Sequence, residues 1–64
     1  MLEVLKNHDG TYEVFWNAKR VRTRVTECWL NSELCTGYGF CGSEYEDIFR
    51  QLTETGKAKV DLSG

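Results

Sequence analysis

The stretch Leu2-Glu3-Val4-Leu5-Lys6-Asn7-His8-Asp9-Gly10-Thr11-Tyr12-Glu13-Val14-Phe15-Trp16 decides the fold. Leu2 and Val4 alternate with Glu3 in a strand over 1–6, and Tyr12, Val14 and Trp16 alternate with Glu13 in a second over 11–16. A period of two marks strands with one buried face. The Asp9-Gly10 pair between them supplies the positive φ angles that a tight hairpin needs. A three-residue loop with Gly10 in the bulge position places Leu2, Val4, Tyr12, Val14 and Trp16 on one face, whereas a two-residue loop opposes Lys6 to Glu13. Burial favours the first, because a slip of one residue exchanges the faces.

Downstream, Asn17-Ala18-Lys19-Arg20 turns the chain into a third strand over 20–30. There Val21, Thr23 and Val25 alternate with Arg20, Arg22 and Arg24, the pattern of a half-buried sheet. If Trp16 opposes Val21, Phe15 faces Arg22 and Glu13 faces Arg24, so the arginines form one exposed row with Glu13, Glu3 and Glu27 as neutralising neighbours. Ser43-Glu44-Tyr45-Glu46 reads as a capping box that opens a helix. Tyr45, Ile48, Phe49 and Leu52 form its apolar stripe, and Gly56 fits the left-handed residue that closes it. Lys57 to Leu62 alternates again, with Ala58, Val60 and Leu62 toward the core. The expected architecture is a single small α+β domain over 1–64: an antiparallel three-stranded meander, one helix packed on the sheet and a short C-terminal strand, β-β-β-α-β. A single crossover helix makes that strand parallel to the first and third, in a mixed four-stranded sheet.

Composition bounds the function. A chain of 64 residues buries only about 60% of the surface it exposes unfolded, so its core is thin. A deep pocket of ~300 Å³ or more would be subtracted from that core. Lys and Arg total 8 against 10 Asp and Glu, and the net charge of −2 gives no global field toward nucleic acid or an anionic membrane. Residues 1–20 lack a basic start followed by an apolar run, and no stretch approaches the ~20 apolar residues of a membrane span. A cytoplasmic protein without membrane association is expected. Cys28, Cys35 and Cys41 are odd in number and read as thiols of a reducing compartment, although Cys35 and Cys41 could join under oxidation.

Gly37-Tyr38-Gly39-Phe40-Cys41-Gly42 has the G-x-G-x-x-G spacing of dinucleotide-binding loops. That chemistry needs a strand ending at the first glycine and a helix N-terminus free for pyrophosphate. Here Asn31 to Thr36 intervene, and Glu44, Glu46 and Asp47 crowd the helix start. Zinc is disfavoured in turn, because Cys-x6-Cys-x5-Cys lacks a short knuckle and His8 lies in a distant turn. No cofactor and no metal are expected. With one imidazole and no catalytic signature around any cysteine, neither is an enzyme.

What remains is a long loop over Asn31–Gly42, whose Tyr38 and Phe40 sit between glycines, and the arginine strand. The two rings either fold over one end of the thin core or anchor a partner, since long loops in compact domains are often functional and aromatic and arginine side chains anchor interfaces. In size and composition the chain resembles the compact accessory proteins of bacteriophages and mobile elements, a likeness that no motif carries and that implies a partner to be inhibited. The expected function is a non-enzymatic interaction protein that binds a larger protein and inhibits or regulates it through Tyr38, Phe40, Arg20, Arg22, Arg24 and Phe15. The alternative is a nucleic-acid-binding module in which Arg20, Arg22 and Arg24 line phosphates. Short sheet edges leave monomer and homodimer both open.

Overall fold

The computed structural model of the protein describes residues 1–60. Strands β1 (Leu2–Lys6), β2 (Tyr12–Trp16) and β3 (Lys19–Val25) form the meander, helices α1 (Glu27–Thr36) and α2 (Ser43–Thr55) follow, and β4 (Lys57–Val60) closes the fold. The sheet order is β3-β2-β1-β4. The fold is α+β as expected, with a second helix added. Asp61 and Leu62, expected to continue the last strand, lie outside the described residues.

The first hairpin takes the three-residue loop. Asn7 donates its N–H to the Thr11 carbonyl at 2.8 Å, Gly10 sits at φ +89°, and the register runs from Leu2 opposite Trp16 to Lys6 opposite Tyr12. Leu2, Val4, Tyr12 and Val14 are buried on one face and Trp16 is half-buried beside them. The second hairpin differs from expectation. Its turn is only Asn17-Ala18, both left-handed at φ 51° and 66°, so Trp16 opposes Lys19 rather than Val21.

The arginine row is broken by two irregularities in the register of β2 and β3. Phe15 faces Arg20 and Val14 faces Arg22, with one irregularity between them and another between Val14 and Tyr12, which faces Val25. Each bulge inserts an extra residue and reverses the side-chain alternation beyond it. Arg20 therefore shares the outer face with Phe15, whereas Arg22 joins Val14 on the helix side.

The expected strand end and loop over 26–36 are instead α1. The Thr26 hydroxyl caps it by accepting the Trp29 N–H at 3.2 Å, and Glu27 stands in its first turn. Leu30 and Leu34, one turn apart, are buried. Past its end, Gly37 and Tyr38 donate their N–H groups to the Glu33 carbonyl, and Phe40 donates to the Leu34 carbonyl at 2.6 Å. That wrap turns Phe40 inward. Cys28, expected in a strand, is exposed on α1.

Helix α2 begins without the expected capping box: Gly42 holds the cap position and no side chain among the described residues caps the helix, although Glu46 donates its N–H to the Gly42 carbonyl. Its apolar stripe is as expected, with Ile48 and Leu52 buried and Tyr45 and Phe49 half-buried. Gly56 closes the helix at φ +74°, donating to the Leu52 carbonyl. β4 pairs with β1 antiparallel, Val4 opposite Ala58, which corrects the expected mixed sheet. The cause is the extra helix, because each added segment reverses the chain once more.

An L-residue in the left-handed region costs about 1–2 kcal/mol, and glycine there offsets that with about 0.5–1 kcal/mol of backbone entropy. Replacing Ala18 at φ 66° by glycine is accordingly expected to stabilise the domain by roughly 0.5–1 kcal/mol. A raised thermal midpoint checks this, and an unchanged or lowered one contradicts it.

Candidate functional site

The chemistry-bearing residues gather around β2 and β3. Glu13 points to the outer face of the sheet, yet its side chain is only 12% exposed, because the first hairpin loop and β3 close on it. Asn7 Nδ2 donates to Oε2 at 2.9 Å, the Arg24 N–H donates to Oε2 at 2.7 Å, and the Thr23 hydroxyl donates to Oε1 at 2.7 Å. Arg20 Nε lies 3.5 Å from Oε1. These donors, Asn7 first and then the Arg24 amide and the Thr23 hydroxyl, hold the carboxyl at about 2 against the opposing effect of burial, with Arg20 adding attraction. Arg24 is the other side of this arrangement. It takes φ +50°, an uncommon conformation for a non-glycine residue, and Glu13 binds the amide that this conformation presents.

The arginines are organised by aromatic rings. Arg20 lies 5.6 Å from the centroid of Phe15 on the outer face, and Arg22 lies 5.6 Å from the centroid of Trp29 on the helix side. Both arginines are exposed, so each charged head stays in water while its ring limits its freedom. Nη1 of Arg22 also donates to the Val21 carbonyl at 2.8 Å. At the turn end of β2, Tyr38 stacks on Trp16 with centroids 5.4 Å apart, and both are half-buried.

Phe40 is the correction among the expected contact residues. It is 3% exposed and belongs to the core. Tyr38 remains at the surface, and Phe15, Arg20 and Arg22 are brought to the two sides of the same strand pair. Trp29, which the sequence reading assigned to a strand end, is the residue it missed. Its signal was Thr26 three positions earlier, a helix cap followed by an acid. Glu3 neutralises Lys57 and Lys59 at 3.7 and 4.0 Å, not the arginines. Glu27 lies in the first turn of α1.

At the hairpin-loop end, an open groove of about 710 Å³ is lined by Lys6, His8, Asp9, Arg24 and Lys57 among others. Its charges are of both signs. Hydrogen bonds from Thr11 lower the Asp9 pKa, the hydroxyl acting first and the backbone amide second. Among the described residues, no three of His, Cys, Asp and Glu form a metal-holding group.

Cys35 and Cys41 are joined by a disulfide, which corrects the reading of three thiols; Cys28 is free. The bond ties the end of α1 to the approach of α2 and closes the segment that carries Tyr38 and Phe40. No described helix is long and apolar enough to cross a membrane. No protein-family model, curated protein or solved structure matches the chain.

Two tests address these contacts. A carboxylate held at about 2 when folded, against 4.5 ordinarily, contributes stability that is complete above 4.5 and is lost as pH falls toward 2. The difference in thermal midpoint between wild type and Glu13→Gln is therefore expected to be widest above pH 5 and to close near pH 2. A gap independent of pH contradicts the ionic role. For the disulfide, closing a loop of sequence separation 6 corresponds to about 2 kcal/mol of chain entropy. The Cys35→Ser/Cys41→Ser variant is expected to lose about that much in denaturant unfolding, and wild type with reductant should match it.

Proposed function

We propose that the protein is a non-enzymatic interaction module that docks on a larger protein and inhibits or regulates it. The contact surface is the β3 side of the molecule, with Arg20 on Phe15, Arg22 on Trp29, and the Trp16–Tyr38 stack at the turn end. The observation that carries this reading is the pair of exposed guanidiniums, each 5.6 Å from an aromatic centroid. Arg, Trp and Tyr are the residues on which binding energy concentrates, and side chains already positioned lose less entropy on association.

Two features support a non-enzymatic role. His8 is exposed in the hairpin loop, and the Glu13 carboxyl, held at about 2, is poorly matched to proton transfer near neutrality. The nucleic-acid alternative draws on Lys19, Arg20, Arg22 and Arg24 lying along β3 without an intervening acid. Division of Arg20 and Arg22 between two faces works against a single row of phosphates.

Immobilised wild-type protein is expected to retain a stoichiometric partner from nuclease-treated extract of its source cells. The Arg20→Gln/Arg22→Gln variant, with unchanged circular dichroism, should bind that partner at least about tenfold more weakly, or roughly 1.4 kcal/mol. A complex indifferent to both arginines overturns the assignment of this surface. A complex lost on nuclease treatment supports the nucleic-acid alternative instead.

A further inference from the structure

β3 is the edge of the sheet opposite β4, and it combines three properties that together specify a ligand. First, among the described residues no strand pairs with the outer side of the β3 backbone, and such a side accepts an added strand from another chain. Second, the strand carries Lys19, Arg20, Arg22 and Arg24 with no acid among its residues. Glu13 pairs with Arg20 and Glu27 follows the strand in α1, whereas the larger group of acids, Glu44, Glu46, Asp47 and Glu54, lies on α2, which packs against β4 at the far edge. The basic edge therefore stands away from the protein's own main acidic surface. Third, the bulge between Arg20 and Arg22 sends these neighbours to opposite faces of the sheet.

We infer that β3 recognises an extended acidic segment of a partner protein, added as a further strand with its carboxylates on both faces of the sheet. This rests on the docking surface proposed above and names its ligand. Successive side chains of a strand alternate between faces, so a regular strand beside β3 meets Arg20 and Arg22 together only if its acids are separated by an odd number of positions. β2 shows the spacing directly, since Phe15 and Val14, adjacent in sequence, are the residues opposite Arg20 and Arg22. The guanidinium fork suits carboxylates, and cross-strand pairs of opposite charge are favourable. A phosphodiester strand has no such alternation, because its charges follow one backbone path.

The test uses two blocked peptides of about six to eight residues, an ordinary strand length. Both have the same composition and charge; in one the two glutamates are adjacent, and in the other they are two positions apart. Isotope-labelled protein is titrated with each, and amide exchange across β3 and the indole signal of Trp29 are followed. The adjacent-glutamate peptide is expected to slow exchange of β3 amides, to shift Trp29, and to bind several-fold tighter than its isomer. Arg22→Gln should abolish that preference while leaving the fold spectrum intact. The inference is overturned if neither peptide binds, if both bind alike, if β3 amides gain no protection, or if an oligothymidylate of equal charge binds as tightly. Should the peptides fail while the native complex still depends on Arg20 and Arg22, strand addition falls and the docking surface stands. Loss of both removes the surface itself.

Discussion

The carboxylate of Glu13 accepts bonds from the first hairpin loop through Asn7 and from β3 through Thr23 and the Arg24 amide. The course of β3 depends on that convergence. A regular strand continuing from the Asn17-Ala18 turn would keep Arg20, Arg22 and Arg24 on one face. Instead the strand bulges, Arg24 adopts a left-handed conformation, and its amide turns to the carboxylate. An ionised carboxylate with these donors is far more favourable than the same group left unpaired in a shielded position, so a shift of β3 that broke them would be opposed. The surface chemistry follows from this geometry. Arg20 reaches the Phe15 face and Arg22 the Trp29 face because the bulge lies between them.

The helix side of the sheet meets a different constraint, the scarcity of apolar material in a small domain. Leu30 and Leu34 of α1, Ile48 and Leu52 of α2 and Phe40 from their connection share the core with Leu2, Val4, Tyr12, Val14 and Ala58. Full burial of a phenylalanine stabilises by about 1.5–3 kcal/mol, a sizeable part of the stability of a domain this small. A glycine-flanked ring in a free loop would forgo that contribution. The Leu34 carbonyl and the Cys35–Cys41 bond instead draw the connection back over the end of α1.

Elements with a complete periodic pattern were legible in the sequence. The β1–β2 hairpin followed from the alternation around Asp9-Gly10, and α2 from Tyr45, Ile48, Phe49 and Leu52 with Gly56 behind them. α1 was obscured because its buried stripe is only Leu30 and Leu34, while Val21, Thr23 and Val25 imposed a strand pattern that runs naturally into Trp29 and Leu30. Missing α1 also misplaced β4, since one helix fewer reverses the direction in which the chain returns. Within the site, the arginines and Phe15 were identifiable by residue type. Their division between faces was not, because the regular alternation of Lys19–Val25 carries no local signal of the bulge between Arg20 and Arg22. The Asn17-Ala18 turn was hidden for a related reason: alanine is a poor advertisement for a left-handed position.

The same geometry separates partner recognition from self-association. At the far edge, β4 carries Lys57 and Lys59, and lysines on an edge blunt pairing. At β3, a second copy pairing antiparallel across a two-fold axis would bring Lys19, Arg20, Arg22 and Arg24 opposite the same residues of its partner. Cross-strand like charges are destabilising, and the copies would bring no acid from this strand to compensate. Bulges add a mismatch, since two irregular edges must align their extra residues simultaneously to pair. A regular acidic strand meets neither obstacle. Its carboxylates compensate the cations, and it faces one bulged edge rather than two. The features that discourage a β3–β3 dimer therefore leave a heterologous acidic segment as the strand this edge accommodates best.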